Sequence, residues 1–283
     1  MQRTRLLRVA LGLACAAALA VPVIGQADDS SSKGDGRTFY ATDNQGNLLS
    51  FSADNPRRLD TMRGITGLAP GVTLTGIDFR PRTGDLYGIG SDSVVYRVNP
   101  QTAIAVSESS TTPPTPFTPA LRGRFFGVDF NPMVDRIRVT SDANQNIRLH
   151  PDDANVVGAD ADLNPGDPTI VGSAYTGSSF SAGLASSTVL YALDAVDDAI
   201  YVQSPPNNGT LAMGQQLDIN VRGDSGFDIA GRNNLGYVAT ASDRRPGAEL
   251  HRVNVQTGDS VKLGRIGRGG HTITGLAAVQ DLS

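Results

Sequence analysis

The sequence predicts an all-β protein, specifically a β-propeller of five blades with four antiparallel strands in each. Three observations predict it. A short opening motif recurs as Thr75-Gly76-Ile77-Asp78-Phe79, Phe126-Gly127-Val128-Asp129-Phe130, Thr176-Gly177-Ser178-Ser179-Phe180, Ser225-Gly226-Phe227-Asp228-Ile229 and Thr274-Gly275-Leu276-Ala277-Ala278, its glycines stepping by 51, 50, 49 and 49 residues. A period near fifty in strand-rich units belongs to propellers and arrays. A hydrophobic content of 39% with 32 Gly and 16 Pro suits many short strands joined by turns. The two chain ends are also complementary: the first unit has no opener, and Ile273 to Val279 is an opener with nothing after it. Pairing that C-terminal strand with the N-terminal blade closes the ring and leaves no free edge at the join.

Before the blades, Met1 to Arg8 carries three arginines, Val9 to Ile24 is apolar, and Gly25-Gln26-Ala27 ends in small residues. This is an export signal, with cleavage expected after Ala27 and a periplasmic or extracellular destination. An uncleaved anchor is the alternative, for which sixteen apolar residues are short. Acylation of Cys15 as a lipoprotein is another, although Gly12 stands where a Leu is wanted. Cys15 is the one cysteine, so the mature chain would hold no disulfide. Residues 28–37 are Ser, Gly and charge, and read as a disordered leader. The remainder, 38–283, reads as a single domain.

In the first blade Thr38-Phe39-Tyr40-Ala41-Thr42, Asn47 to Phe51 and Arg57 to Met62 are strands, separated by Asn44-Gln45-Gly46 and Asp54-Asn55-Pro56 turns. The second shows the full pattern: the opener, then 85–89, 93–98 and 103–106. Ser109 to Ala120 is a Pro/Thr-rich connection, extended and exposed, after which the repeat resumes in phase. The third blade runs 126–157. The fourth is the weakest, with its opener at 176–180, then 188–194, 199–203 and 210–213; Asn208-Gly209-Thr210 reads there as a hairpin turn rather than a glycosylation site. The fifth runs from Gly226 to Ile266.

Several of these pieces carry a resemblance. Gly127-Val128-Asp129-Phe130-Asn131-Pro132, Asp135-Arg136-Ile137-Arg138-Val139, Gln145-Asn146-Ile147-Arg148, Ala174-Tyr175-Thr176 and Phe39-Tyr40-Ala41-Thr42 resemble a family of exported bacterial proteins catalogued as domain of unknown function 4394. The resemblance covers nearly all of 38–280 and implies a propeller-like fold and export. No activity or set of functional residues travels with it. Gly177 departs from the pattern, which has Asn after the Ala-Tyr-Thr.

Innermost strands of blades converge on a central channel, and the openers fit that place. Gly76, Gly127, Gly177, Gly226 and Gly275 would allow backbones to crowd at the axis. Asp78, Asp129 and Asp228 follow on the same face, with Ser179 and Ala277 in the other two copies. Three converging carboxylates can hold a calcium-like divalent cation, share protons, or serve as fixed hydrogen-bond acceptors for neighbouring blades. A second acidic stretch, Asp160, Asp162, Asn164 and Asp167, alternates oxygen ligands as a calcium loop does. Pro165 and Val171 nevertheless stand where an EF-hand needs Gly and Glu, so a solvated turn is the competing reading. His271 precedes the closing strand, where it would reach the channel mouth. Arg136, Arg138 and Arg148 form either a basic patch or a sheet face paired with nearby Asp.

The exclusions are equally informative. A net charge of −4 offers no basic face for nucleic acid. No stretch after residue 24 is long and apolar enough to span a bilayer. Only Glu108 and Glu249 are glutamates, neither lies in an opener, and there is no Trp, which argues against a glycosidase. The residues therefore point to an exported monomer that binds a small ligand or an extracellular protein without catalysis. The alternative is a metal-dependent hydrolase of lactones or esters at the channel mouth.

Overall fold

Runs of alternating or β-branched residues broken by Gly, Asn and Asp turns build nineteen strands among the described residues, which in this computed structural model are 34–158, 160–181, 183–230 and 235–280. The expected signal peptide, Cys15 and residues 28–33 of the leader lie outside them. Gly34 to Arg37 do not behave as a disordered leader: the Tyr237 hydroxyl donates to Asp35 Oδ2 at 2.8 Å, and Arg37 Nη1 donates to the Val279 carbonyl at 3.0 Å. Among the described residues no helix is long and apolar enough to cross a membrane.

The strands form five antiparallel sheets. Blade one is β1 (Thr38–Asp43), β2 (Asn47–Ser52) and β3 (Leu59–Gly64), completed on its inner side by β19 (Ile273–Ala278). In that closure Phe39 faces Ala278 and Ala41 faces Leu276, so the C-terminal strand pairs with the N-terminal blade as the sequence predicts. Blade two is β4 (Leu74–Phe79), β5 (Leu86–Gly90), β6 (Val95–Val98) and β7 (Ala105–Ser107). Blade three has β8 (Phe126–Asn131), β9 (Arg136–Ser141) and β10 (Asn146–Leu149), and its fourth position is reduced to a bridge between Leu149 and Val156. Blade four is β11 (Ile170–Tyr175), β12 (Leu190–Asp194), β13 (Ala199–Gln203) and β14 (Leu211–Gln216). Blade five is β15 (Ser225–Ala230), β16 (Leu235–Ala241), β17 (Ala248–Val253) and β18 (Ser260–Arg265).

One assignment is corrected. The opener of blade four is β11, not 176–180, so Gly172 takes the place expected of Gly177 and Ala174 that of Ser179. The step from Gly127 to Gly172 is 45 residues and that from Gly172 to Gly226 is 54. The extra length is the connection 176–189, far longer than the 132–135 and 231–234 connections that follow the inner strands of blades three and five. Gly177 instead turns the chain out of β11 with φ +75°.

The core lies between the faces of successive blades. Phe39 of blade one meets Tyr237 of blade five with ring centroids 4.7 Å apart, and Tyr87 of blade two meets Phe130 of blade three edge-on at 5.3 Å. Val171, Phe227 and Val238 join blades four and five; Leu48, Ile77 and Ala277 join blades one and two. Charge also crosses between blades. Arg80 of blade two grips Asp135 of blade three with Nε to Oδ1 at 2.8 Å and Nη2 to Oδ2 at 2.6 Å.

Candidate functional site

The inner strands β4, β8, β11, β15 and β19 meet around the axis in that order. A Cβ added to Gly76 would fall 2.5 Å from Val128 Cγ2, and one on Gly172 would fall 2.7 Å from Phe227 Cβ. Gly127, Gly226 and Gly275 meet Ser173, Leu276 and Ile77 in the same way. Each glycine of the ring therefore receives the residue that follows the next blade's glycine. No other side chain fits that approach.

Two residues beyond Gly76, Gly127 and Gly226 three carboxylates converge. Asp78, Asp129 and Asp228 are buried, and each can bring one oxygen within 4.8 Å of the others; no other group of three or more such ligands gathers among the described residues. Their hydrogen bonds follow a rule. Asp78 Oδ2 accepts the Phe130 amide at 2.7 Å, Asp129 Oδ1 accepts the Tyr175 amide at 3.2 Å, and Asp228 Oδ2 accepts the Ala278 amide at 2.6 Å. Every acceptor thus serves the next blade, one residue past that blade's own Asp position. Blades four and one carry Ala174 and Ala277 there and have no carboxylate to offer, which would orphan the amides of Ile229 and Phe79. Those two are served from within: Asp78 Oδ1 accepts the Phe79 amide at 2.7 Å, and the Ile229 amide acts on the Asp228 carboxylate. Three aspartates so supply acceptors to five inner-strand amides, and no hydrogen bond reaches Asp129 Oδ2 among the described residues.

Electrostatics at this waist follow from crowding. Burial, then repulsion from Asp228, raises Asp78 well above the usual carboxylate range; burial, then repulsion from Asp78 and Asp228, does the same to Asp129. Burial pushes Asp228 up to about 6 against the pull of two backbone amides. The group is therefore built to hold at least one proton near neutrality, and the spare oxygen of Asp129 is where a proton displaces no amide. The same three oxygens form the place where a divalent cation would sit.

The other expected site residues are dispersed. Asp160 is clamped between two guanidiniums, accepting from Arg138 Nη1 at 2.6 Å and from Arg148 Nη2 at 2.7 Å. Asp162 pairs with Arg122 at 2.8 Å, Asp167 accepts from Asn144 Nδ2 at 2.7 Å, and Asn164 donates to the carbonyls of Asp162 and Asn208. The 160–167 segment is thus an arginine-pairing loop and does not gather its oxygens as a calcium loop must. Arg138 and Arg148 are the strand arginines that pair with Asp, while Arg136 donates to the Val134 and Asp135 carbonyls. His271 is paired with Asp43, Nδ1 to Oδ2 at 2.9 Å. Ser179 lies in the long connection of blade four, which crosses the C-terminal ends of the inner strands: Ser181 donates to the Pro81 carbonyl at 2.9 Å and Ala185 to that of Pro132 at 3.0 Å. A cavity of about 200 Å³ lies beneath it, lined by Pro81, Arg82, Pro132, Ser179 and Leu184 among others.

The opposite mouth holds what the sequence reading missed. The starts of β4, β8, β15 and β19 surround a cavity of about 300 Å³, with Thr73, Thr75, Ser225 and Thr274 supplying hydroxyls and Leu74 and Phe126 an apolar wall. Arg124 and Asp224 also line it, and among the described residues neither side chain has an ion pair or hydrogen bond. The signal was present in the sequence: Arg122-Gly123-Arg124 and Arg222-Gly223-Asp224 are matching tripeptides with opposite charges at the third place.

A family model described as "Domain of unknown function (DUF4394)" matches residues 47–277. No curated protein is significantly similar to the chain. Among solved structures, hydrazine synthase of Kuenenia stuttgartiensis is 12% identical with a TM-score of 0.42, over 74% of this chain and 52% of that one. A quinonprotein alcohol dehydrogenase-like protein of Bacteroides thetaiotaomicron is 14% identical with a TM-score of 0.37, over 83% of this chain and 52% of that one. The chain thus spans about half the length of each.

Proposed function

The chain belongs to this family of unknown function, and from that premise we propose that it is an exported, non-enzymatic binding module that takes a small ligand at the N-terminal mouth of its channel. One observation carries the proposal: four blades place hydroxyls and two unpaired charges around a single open cavity. Concave sites with an apolar wall and a few convergent polar groups are where small ligands bind. The waist aspartates favour a structural part over a catalytic one, because each already serves a backbone amide and each is buried. A hydrolase working through a metal needs an open ligand position for water and substrate. Export rests on residues 1–27, with their basic, apolar and small-residue segments.

The test is a thermal-shift screen of small polar metabolites against the wild type and Thr73→Trp, a replacement at a half-buried position that fills the mouth. Ligands that stabilise the wild type and leave Thr73→Trp unmoved are expected. Hydrolysis of a lactone and ester panel, with or without calcium, is expected to stay at background. Turnover that Asp129→Asn abolishes would overturn the proposal in favour of an enzyme.

A further inference from the structure

We infer that the ligand of this mouth is a small zwitterion carrying a carboxylate and an ammonium group, of the size of a free amino acid or a dipeptide. The inference rests on the binding reading above and adds the chemical class. Rim charges beside the mouth are consumed in pairs: Arg122 with Asp162 at 2.8 Å and Arg222 with Asp243 at 2.6 Å. Two residues further along each loop the charges are opposite in sign, face the same cavity and are not paired with each other.

Both charged loops pack on one aromatic ring. The Arg124 guanidinium lies over the Phe125 ring, 5.0 Å from its centroid. The same ring is pressed on Gly223, where an added Cβ would meet ring carbons directly. Asp224 follows Gly223, so the one ring packs against both of the loops that carry the two charges. The loop below is fixed as well: the amides of Arg124 and Phe125 both donate to Asp142 Oδ1, at 2.7 and 3.1 Å. Two unlike charges that line one cavity without pairing to each other suit a ligand with the reverse pair of charges. A carboxylate would meet Arg124 in a two-pronged hydrogen bond, and an ammonium would meet Asp224. Neutral sugars would leave both charges uncompensated, and a simple anion or cation would leave one. The cavity of about 300 Å³ sits at the small end of ligand sites, which limits the occupant to one or two residues.

The experiment is a titration of the purified protein by amide chemical-shift mapping and calorimetry, using free amino acids, dipeptides, their N-acetylated and C-amidated forms, simple amines, simple carboxylates and neutral monosaccharides. At least one zwitterion is expected to shift the amides of 73–75, 123–126 and 223–225, with N-acetylation and C-amidation each weakening binding at least tenfold. Arg124→Gln and Asp224→Asn, both at solvent-reached positions, should each weaken it similarly without lowering the melting temperature. The cross-tests are decisive: Asp224→Asn should not weaken binding of the N-acetylated ligand further, nor Arg124→Gln that of the amidated one. Sugars or singly charged ions binding at those amides while zwitterions do not would overturn the ligand class and leave the binding module standing. No shift at the mouth from any compound would overturn both.

Discussion

Replacing Asp129 by Asn tests the proton accounting at the channel waist directly. Asn keeps the oxygen that accepts the Tyr175 amide, and its NH₂ takes the place of the one carboxylate oxygen that no amide needs. The variant therefore mimics protonated Asp129 and leaves all five inner-strand amides served. In the wild type the folded state holds protons that the unfolded chain has released, because burial raises all three carboxyl groups and carboxylate repulsion adds to it at Asp78 and Asp129. Stability is then greatest below the unfolded value near ~3.9 and is lost as pH rises through the folded values. For Asp228 alone, held at about 6, that loss amounts to about 3 kcal/mol by pH 8, and Asp78 and Asp129 act in the same direction. Asp129→Asn should match the wild type at pH 4 and exceed it at pH 8 by at least about 1.4 kcal/mol, the equivalent of one pKa unit. Urea unfolding followed by tyrosine fluorescence reads both, since the chain has seven Tyr and no Trp. A variant less stable than the wild type at pH 8 would refute this account. If millimolar calcium then stabilised only the wild type, the waist would be a cation site.

Other perturbations separate the structural roles. Asp129→Ala strips the Tyr175 amide of its acceptor and should cost about 1–3 kcal/mol at pH 4, where charge repulsion no longer masks the loss. Gly127→Ala drives a methyl into the Ser173 backbone and should cost about 3 kcal/mol or more in urea unfolding, whereas Gly177→Ala, strained by its φ of +75° and by a Cβ 3.3 Å from the Ser187 carbonyl oxygen, should cost about 1–2 kcal/mol. Asp160→Asn leaves buried Arg138 without its charge partner and should lose about 3–5 kcal/mol, with no calcium dependence in either protein. A circular permutant opened between β18 and β19, with residue 280 joined to residue 38 by a short linker, should fold and melt within a few degrees of the wild type. Collapse of that permutant would contradict the register of the closing sheet.

The blade count and the closure were legible because both rest on local signals: turn residues, alternation, and a unit lacking its opener at one end of the chain with an opener lacking its unit at the other. The phase of blade four was not. Ile170-Val171-Gly172-Ser173-Ala174-Tyr175 lacks the aspartate that marks its sister strands, and a Thr-Gly-Ser-Ser-Phe sequence lies by coincidence nearer the fifty-residue step. Spacing measures contour length, and a long connection shifts it without moving a strand. The waist aspartates were recognisable as a set, but whether they were acceptors or ligands depended on amides contributed by other blades some fifty residues away. Asp160 looked like part of a calcium loop because its two arginine partners, Arg138 and Arg148, sit on strands of the preceding blade. The mouth charges escaped notice because a tripeptide such as Arg222-Gly223-Asp224 has meaning only beside its counterpart one hundred residues earlier.

The sharing of three carboxylates among five amides bears on how such a ring could be idealised. Averaging the five repeats into one perfect consensus would write Asp at all five inner positions and crowd five like charges where three already retain a proton. Writing Ala at all five would strand five amides. The natural chain avoids both by being imperfect in a particular order, with a two-handed acceptor in the blade directly after each missing one. Blades of this propeller are therefore not interchangeable parts, and shuffling them would break a bookkeeping that no single repeat displays.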